Sequence, residues 1–90
     1  MSLIIVRTSQ FKKDFKRALK RGFNIEKLKG LIELLLKEGK LPQKYRDHIL
    51  SGEYKHCREC HIQPDWLLIY CTKDNELILI RTGTHADLFE

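Results

Sequence analysis

The stretch Trp66-Leu67-Leu68-Ile69-Tyr70-Cys71-Thr72 and, after the turn residues Lys73-Asp74-Asn75, the stretch Glu76-Leu77-Ile78-Leu79-Ile80-Arg81-Thr82 decide the fold. Successive side chains of a strand point to opposite faces, so a strand with one wet face alternates apolar and polar residues. Trp66 to Tyr70 and Leu77 to Ile80 do not alternate. They read as central strands covered on both sides. Just upstream, Pro64-Asp65 marks a turn, and Tyr54 to Ile62 reads as the strand before it. Leu3 to Val6 is a further short apolar run, readable as a first strand.

Between that first run and the strand cluster the periodicity changes from two to 3.6. Phe11, Phe15, Ala18 and Leu19 recur at helical spacing, behind an N-cap offered by Thr8-Ser9 and ahead of Gly22. Asn24 can cap a second helix carried by Ile25, Leu28, Leu31, Ile32 and Leu35, ending near Gly39. Two amphipathic helices joined so closely are expected to pack as an antiparallel hairpin. The expected architecture is α+β: a mostly antiparallel four- to five-stranded sheet with an N-terminal helical hairpin packed on one face. With 90 residues and 42% hydrophobic content, a single domain over residues 1–90 is expected.

The charge is unevenly spread. The net charge is +5, but residues 7–29 hold nine Lys/Arg against Asp14 and Glu26, a local +7, and residues 65–90 carry a local −3. Lys12, Lys13, Lys16, Arg17 and Lys20 lie opposite the apolar stripe of the first helix, a basic face suited to a polyanion or to solvation alone. No apolar run approaches the ~20 residues of a membrane span, and no signal peptide is visible at the start. Three cysteines are too few for a disulfide scaffold, so a reducing cytoplasm is expected and no membrane.

His56-Cys57-Arg58-Glu59-Cys60-His61 contains a Cys-x-x-Cys that zinc would use only if both thiolates converged. On a strand, residues three apart diverge, so no metal and no other cofactor is expected. The same alternation puts Cys57, Glu59 and His61 on one face and Arg58, Cys60 and Ile62 on the other. With Ile62 bound for the core, Glu59 and His61 should face a groove, and Arg81 should reach solvent at the end of its strand. Leu77, Leu79 and Arg81 are expected to alternate against Ile78, Ile80 and Thr82. Together His48, His61, Asp65, Arg81 and His85 supply near-neutral bases, a carboxylate and a cation. That set suits metal-free cleavage of a ribonucleic phosphodiester, which needs a base for the 2′-hydroxyl, an acid for the leaving oxygen and a cation for the phosphorane.

The local order also resembles a family. His48 in Asp-His-x-Leu-x-Gly, the run Arg-Glu-Cys-His-Ile-x-Pro-Asp-Trp-Leu-Leu-Ile-Tyr from Arg58, and the ending Arg-Thr-Gly-Thr-His-Ala-x-Leu-Phe from Arg81 resemble the YafQ toxins of the RelE superfamily of bacterial toxin–antitoxin modules. The Phe-x-Lys-Asp start of the first helix extends the match over nearly the whole chain. The resemblance implies a ribosome-dependent messenger-RNA interferase neutralised by a cognate, acidic antitoxin. It places His48, His61, Asp65 and His85 at acid–base positions, Arg81 at the phosphate brace and Phe89 at an aromatic that stacks on or orients a base. Glu59 is a secondary substrate-side candidate, Trp66 beside the site is readable equally as a substrate platform or as core, and Lys12, Lys13, Lys16, Arg17 and Lys20 would meet ribosomal RNA. The alternative is a non-catalytic basic module that binds RNA or the ribosome, or serves as a co-repressor subunit.

Overall fold

Thr8 has extended backbone and its hydroxyl accepts the Phe11 amide at 3.0 Å, which starts α1 (Ser9–Lys20). Gly22, at φ 78°, supplies the left-handed residue after that helix. The Asn24 side chain accepts the Glu26 amide and starts α2 (Ile25–Glu38), which Gly39 closes at φ 74°. Ahead of α1 runs β1 (Ile4–Arg7). After α2 come β2 (His48–Ile49), β3 (Arg58–Gln63), β4 (Trp66–Lys73), β5 (Glu76–Gly83) and a short α3 (His85–Phe89). These elements belong to a computed structural model that describes residues 3–89; Met1, Ser2 and Glu90, the ends of the expected domain, lie outside the described residues.

The five strands form one mixed sheet in the order β1-β5-β4-β3-β2. All neighbours are antiparallel except β1 and β5, which run parallel. The two strands that carry the unbroken apolar runs Trp66 to Tyr70 and Leu77 to Ile80, β4 and β5, lie inside the sheet, as expected. On its first face Phe11, Ala18, Leu28, Leu31 and Leu35 of the two helices pack against Cys60, Ile62, Trp66, Leu68, Tyr70, Leu77 and Leu79. A fully buried side chain of this size contributes about 1.5–3 kcal/mol, so this layer dominates stability. The second face is a smaller cluster of Leu67, Ile69 and Leu88, with Leu50, Tyr54, Cys57 and Ile80 around it.

Three expectations change. The strand expected from Tyr54 starts only at Arg58, because Gly52–Tyr54 forms a 3-10 turn and His56 adopts φ 73°. The two-residue β2 has no sequence pattern of its own and is held by pairing His48 with Glu59 and Ile49 with Arg58. On β5 the strict alternation fails. Tyr70 pairs with Leu79 and Ile69 with Arg81, so Ile80 is an extra residue, and both Ile80 and Arg81 turn to the second face. Cys57 and Cys60 do diverge: Cys57 packs on the second face, whereas Cys60 is buried on the first, where desolvation pushes its thiol up. Among the described residues no group of three His, Cys, Asp or Glu is placed to hold a metal ion.

Candidate active site

Strand register builds the site on the second face. His48 pairs with Glu59, Glu59 with Ile69, and Ile69 with Arg81, so these four residues form one row across β2, β3, β4 and β5. The next row holds His61, Leu67 and Gly83. Beyond it, the β3–β4 turn carries Asp65 and the first turn of α3 carries His85. Leu67 and Ile69 are completely buried, so they form an apolar floor under the polar side chains.

Asp65 fixes His85. One carboxylate oxygen accepts both the His85 amide at 2.9 Å and its Nδ1 at 2.6 Å. These two hydrogen bonds hold the Asp65 carboxyl below its ordinary range, the backbone bond being the larger cause. With its proton on Nδ1, the neutral His85 ring presents a bare Nε2 to solvent. Its ring centroid lies 5.7 Å from that of His61, edge to face. His61 Nε2 is 3.6 Å from Glu59 Oε1, and His48 Nε2 approaches the same oxygen at 3.4 Å from the other side. The His48 Nδ1 lies 2.8 Å from the Arg46 carbonyl, a group that can only accept. Both nitrogens of His48 therefore lie near oxygen acceptors. Glu59, secondary on sequence grounds, is a buried carboxylate shared by two imidazoles.

Arg81 is anchored rather than free. Its Nε and Nη2 donate to the two oxygens of Asp14 at 3.0 Å each, and the same carboxylate accepts the Thr82 amide at 3.2 Å. Asp14 is fully buried, and its hydrogen bonds push the Arg81 guanidinium further above its ordinary value. Two of five N–H groups are used, which leaves three for an anion. Asp14 was missed as a functional residue, yet it carries a signal: it is an acid on the apolar stripe of α1, three residues from Phe11 and four from Ala18.

A second carboxylate sets α3. Thr84 and Asp87 form a reciprocal cap, Thr84 N–H to Asp87 at 3.0 Å and Asp87 N–H to Thr84 Oγ1 at 3.2 Å. Asp87 also accepts from Arg21 at 2.6 and 3.2 Å and lies 3.3 Å from Arg17. Hydrogen bonding to Arg21, above all, drives the Asp87 carboxyl far below its usual range. This corrects one expectation: Arg17 is engaged with Asp87, whereas Lys12, Lys13, Lys16 and Lys20 are exposed on α1. Gly83 is required by the fold-back, because a Cβ there would meet the Asp87 Cβ at 2.9 Å.

The two aromatic candidates separate. Trp66 is 1% exposed, packs against the Phe23 ring at 4.9 Å and donates its indole N–H to Thr82. It belongs to the core on the first face and offers no surface to a substrate, which removes it from the candidates. Phe89 is 47% exposed at the end of α3, with its ring edge-on to Tyr54 at 6.3 Å. Tyr54 is the other residue that sequence reasoning missed, since the turn that presents it was read as strand.

Comparison with known proteins agrees with this architecture. Residues 3–90 match the family described as bacterial toxin of type II toxin–antitoxin system, YafQ. The chain is 47% identical over 83 residues to the mRNA interferase toxin YafQ of Escherichia coli, covering 91% of this chain and 90% of that one. The crystal structure of the E. coli DinJ–YafQ toxin–antitoxin complex superposes with a TM-score of 0.91 at 44% identity over 100% of both chains. A metal-bound toxin from Helicobacter pylori superposes at 0.89 with 43% identity, over 97% of this chain and 99% of that one. The family match extends over residues 3–90, and the chain belongs to the YafQ family of bacterial type II toxin–antitoxin toxins.

Proposed function

We propose that this chain is an endoribonuclease, an mRNA interferase that cuts messenger RNA on the ribosome by metal-independent attack of the ribose 2′-hydroxyl, in the bacterial cytoplasm. The observation that carries the reading is the line Asp65–His85, His61–Glu59–His48, with Arg81 in the same row as Glu59. His85, oriented by Asp65, offers Nε2 as the base that takes the 2′-hydroxyl proton. His61, beside it and backed by Glu59, donates the proton that the departing 5′-oxygen needs. His48 shares the Glu59 carboxylate at the edge of the site. Arg81 meets the equatorial oxygens with the N–H groups that Asp14 leaves open, while charge grows over the apolar floor.

Phe89 stacks on or orients a base, and the exposed lysines of α1 contact ribosomal RNA. A cognate acidic antitoxin silences the toxin; the relative in E. coli was crystallised in a toxin–antitoxin complex with DinJ. The deciding experiment uses ribosomes programmed with messenger RNA, with cleavage mapped by primer extension. A His85→Gln change keeps the fold and lowers the cleavage rate by about 10²- to 10⁴-fold, the usual contribution of a general acid or base. Wild-type cleavage by that variant removes His85 from the chemistry. Ribosome binding without cleavage by the wild-type protein makes the chain a binding module instead.

A further inference from the structure

On the far side of His61 lies a second concavity, of about 670 Å³, between α2 and the segment that leads into β2. Leu31 and Ile62 form part of its wall, and Lys27, Lys44 and Arg46 line it together with His61. Its lining contains no acid, and among the described residues none of these three cations is ion-paired. The Lys44 ammonium stands 5.1 Å from the centre of the Tyr45 ring, which holds it in place. Arg46 is anchored through its backbone, because its carbonyl faces the His48 ring.

A polymer cut at one phosphodiester must leave the site in both directions. We propose that this groove carries the sugar–phosphate backbone of the messenger strand on one side of the scissile bond, with Lys27, Lys44 and Arg46 meeting successive phosphates. The proposal rests on the reading of the His61–His85 cluster as the place of cleavage. His61 is common to that cluster and to the groove, so a strand seated at one continues directly into the other. Cations without acids suit phosphates, and the apolar wall suits ribose; such a groove tracks backbone rather than sequence. It assigns the messenger phosphates to a concavity that opens on the site and leaves the outward lysines of α1 to ribosomal RNA.

The test uses a Lys27→Gln/Lys44→Gln double variant on ribosomes programmed with messenger, and follows cleavage against toxin concentration. The half-saturating concentration rises several-fold while the rate at saturation stays unchanged, and the slope of log affinity against log salt falls by roughly one to one and a half. A neutral methylphosphonate, scanned through the phosphates flanking the scissile bond, weakens the wild type at one or two positions and has no further effect there in the double variant. An unchanged half-saturating concentration overturns the proposal. Weakening that no messenger position shares assigns the groove to ribosomal RNA and overturns it too. Normal cleavage with lost antitoxin affinity makes the groove a protein site, which likewise overturns it. A parallel His85→Gln arm separates the two readings: if that variant still cleaves, the assignment of the catalytic cluster fails, and the phosphate coupling remains measurable.

Discussion

Replacing Asp14 by Asn tests how the phosphate-facing arginine is held. The carboxylate is buried and accepts four hydrogen bonds, two from Arg81, one from the Thr82 amide and one from the Gln10 side chain. Asn retains one oxygen, so the Thr82 contact and one guanidinium bond can survive, while its amide turns two N–H groups toward the guanidinium. Breaking a buried ion pair costs about 3–5 kcal/mol. The Arg81 side chain is 19% exposed and regains some hydration, so about 2 kcal/mol is the expected loss. For a domain of this size that lowers the melting temperature by roughly 8–16 °C. Freed from its bidentate hold, Arg81 samples more rotamers, and cleavage per folded molecule falls as well, through a slower saturated rate. Calorimetry and single-turnover cleavage at a temperature where the variant is fully folded separate the two effects. A stability change under about 0.5 kcal/mol, within the range of ordinary surface substitutions, together with an unaltered rate, refutes the argument that Asp14 organises Arg81.

Three further outcomes are expected. Phe89→Leu leaves the melting temperature nearly unchanged, because the ring is half exposed, yet weakens cleavage by about ten- to a hundred-fold, whereas Phe89→Trp keeps most activity; a large loss of stability with normal cleavage per folded molecule would make Phe89 a packing residue. Gly83→Ala forces the Asp87 side chain off its cap and destabilises by about 1–3 kcal/mol, with the loss concentrated in amide protection of Thr84 to Phe89; uniform protection in the variant contradicts it. The Asp87 carboxyl is depressed in the folded state, so its stabilisation is present above the unfolded value of about 3.9 and disappears as pH falls through the lower folded value. Protection of α3 therefore survives acidification past that unfolded value, and Arg21→Gln moves its loss upward; superimposable curves for the two proteins rule this out.

Much of the architecture was legible because β4 and β5 carry the unbroken apolar runs Trp66 to Tyr70 and Leu77 to Ile80 and because Thr8, Asn24, Gly22 and Gly39 mark helix ends by chemistry that acts over three or four residues. The site was legible as a set of residue types, scattered over five separate positions in the chain. What joins them is register. The His48–Glu59–Ile69–Arg81 row depends on a two-residue strand with no periodicity and on a bulge at Ile80, and neither leaves a local signature. Trp66 was misplaced for the same reason: its position next to Asp65 in sequence puts it on the opposite face of the sheet. Asp14 could have been found, since an acid on an apolar stripe requires a partner. The identity of that partner, 67 residues away, could not.

The parallel pairing of β1 with β5 has a consequence for the life of the molecule. β1 and α1 leave the ribosome that makes them before β5 does, and each waits for that strand. Among the described residues β1 pairs in the sheet only with β5, and the Asp14 carboxylate, with Arg17 of its own helix only at 4.0 Å, gains its bidentate guanidinium when Arg81 arrives. Contacts of such long sequence separation form late. The arginine brace and the His85 turn are thus completed in the same closing step that joins the two ends of the chain. A nascent or truncated copy lacking β5 has neither a finished sheet nor a finished site, so the site is completed only once β5 has been made, with that interval left for an antitoxin to be at hand.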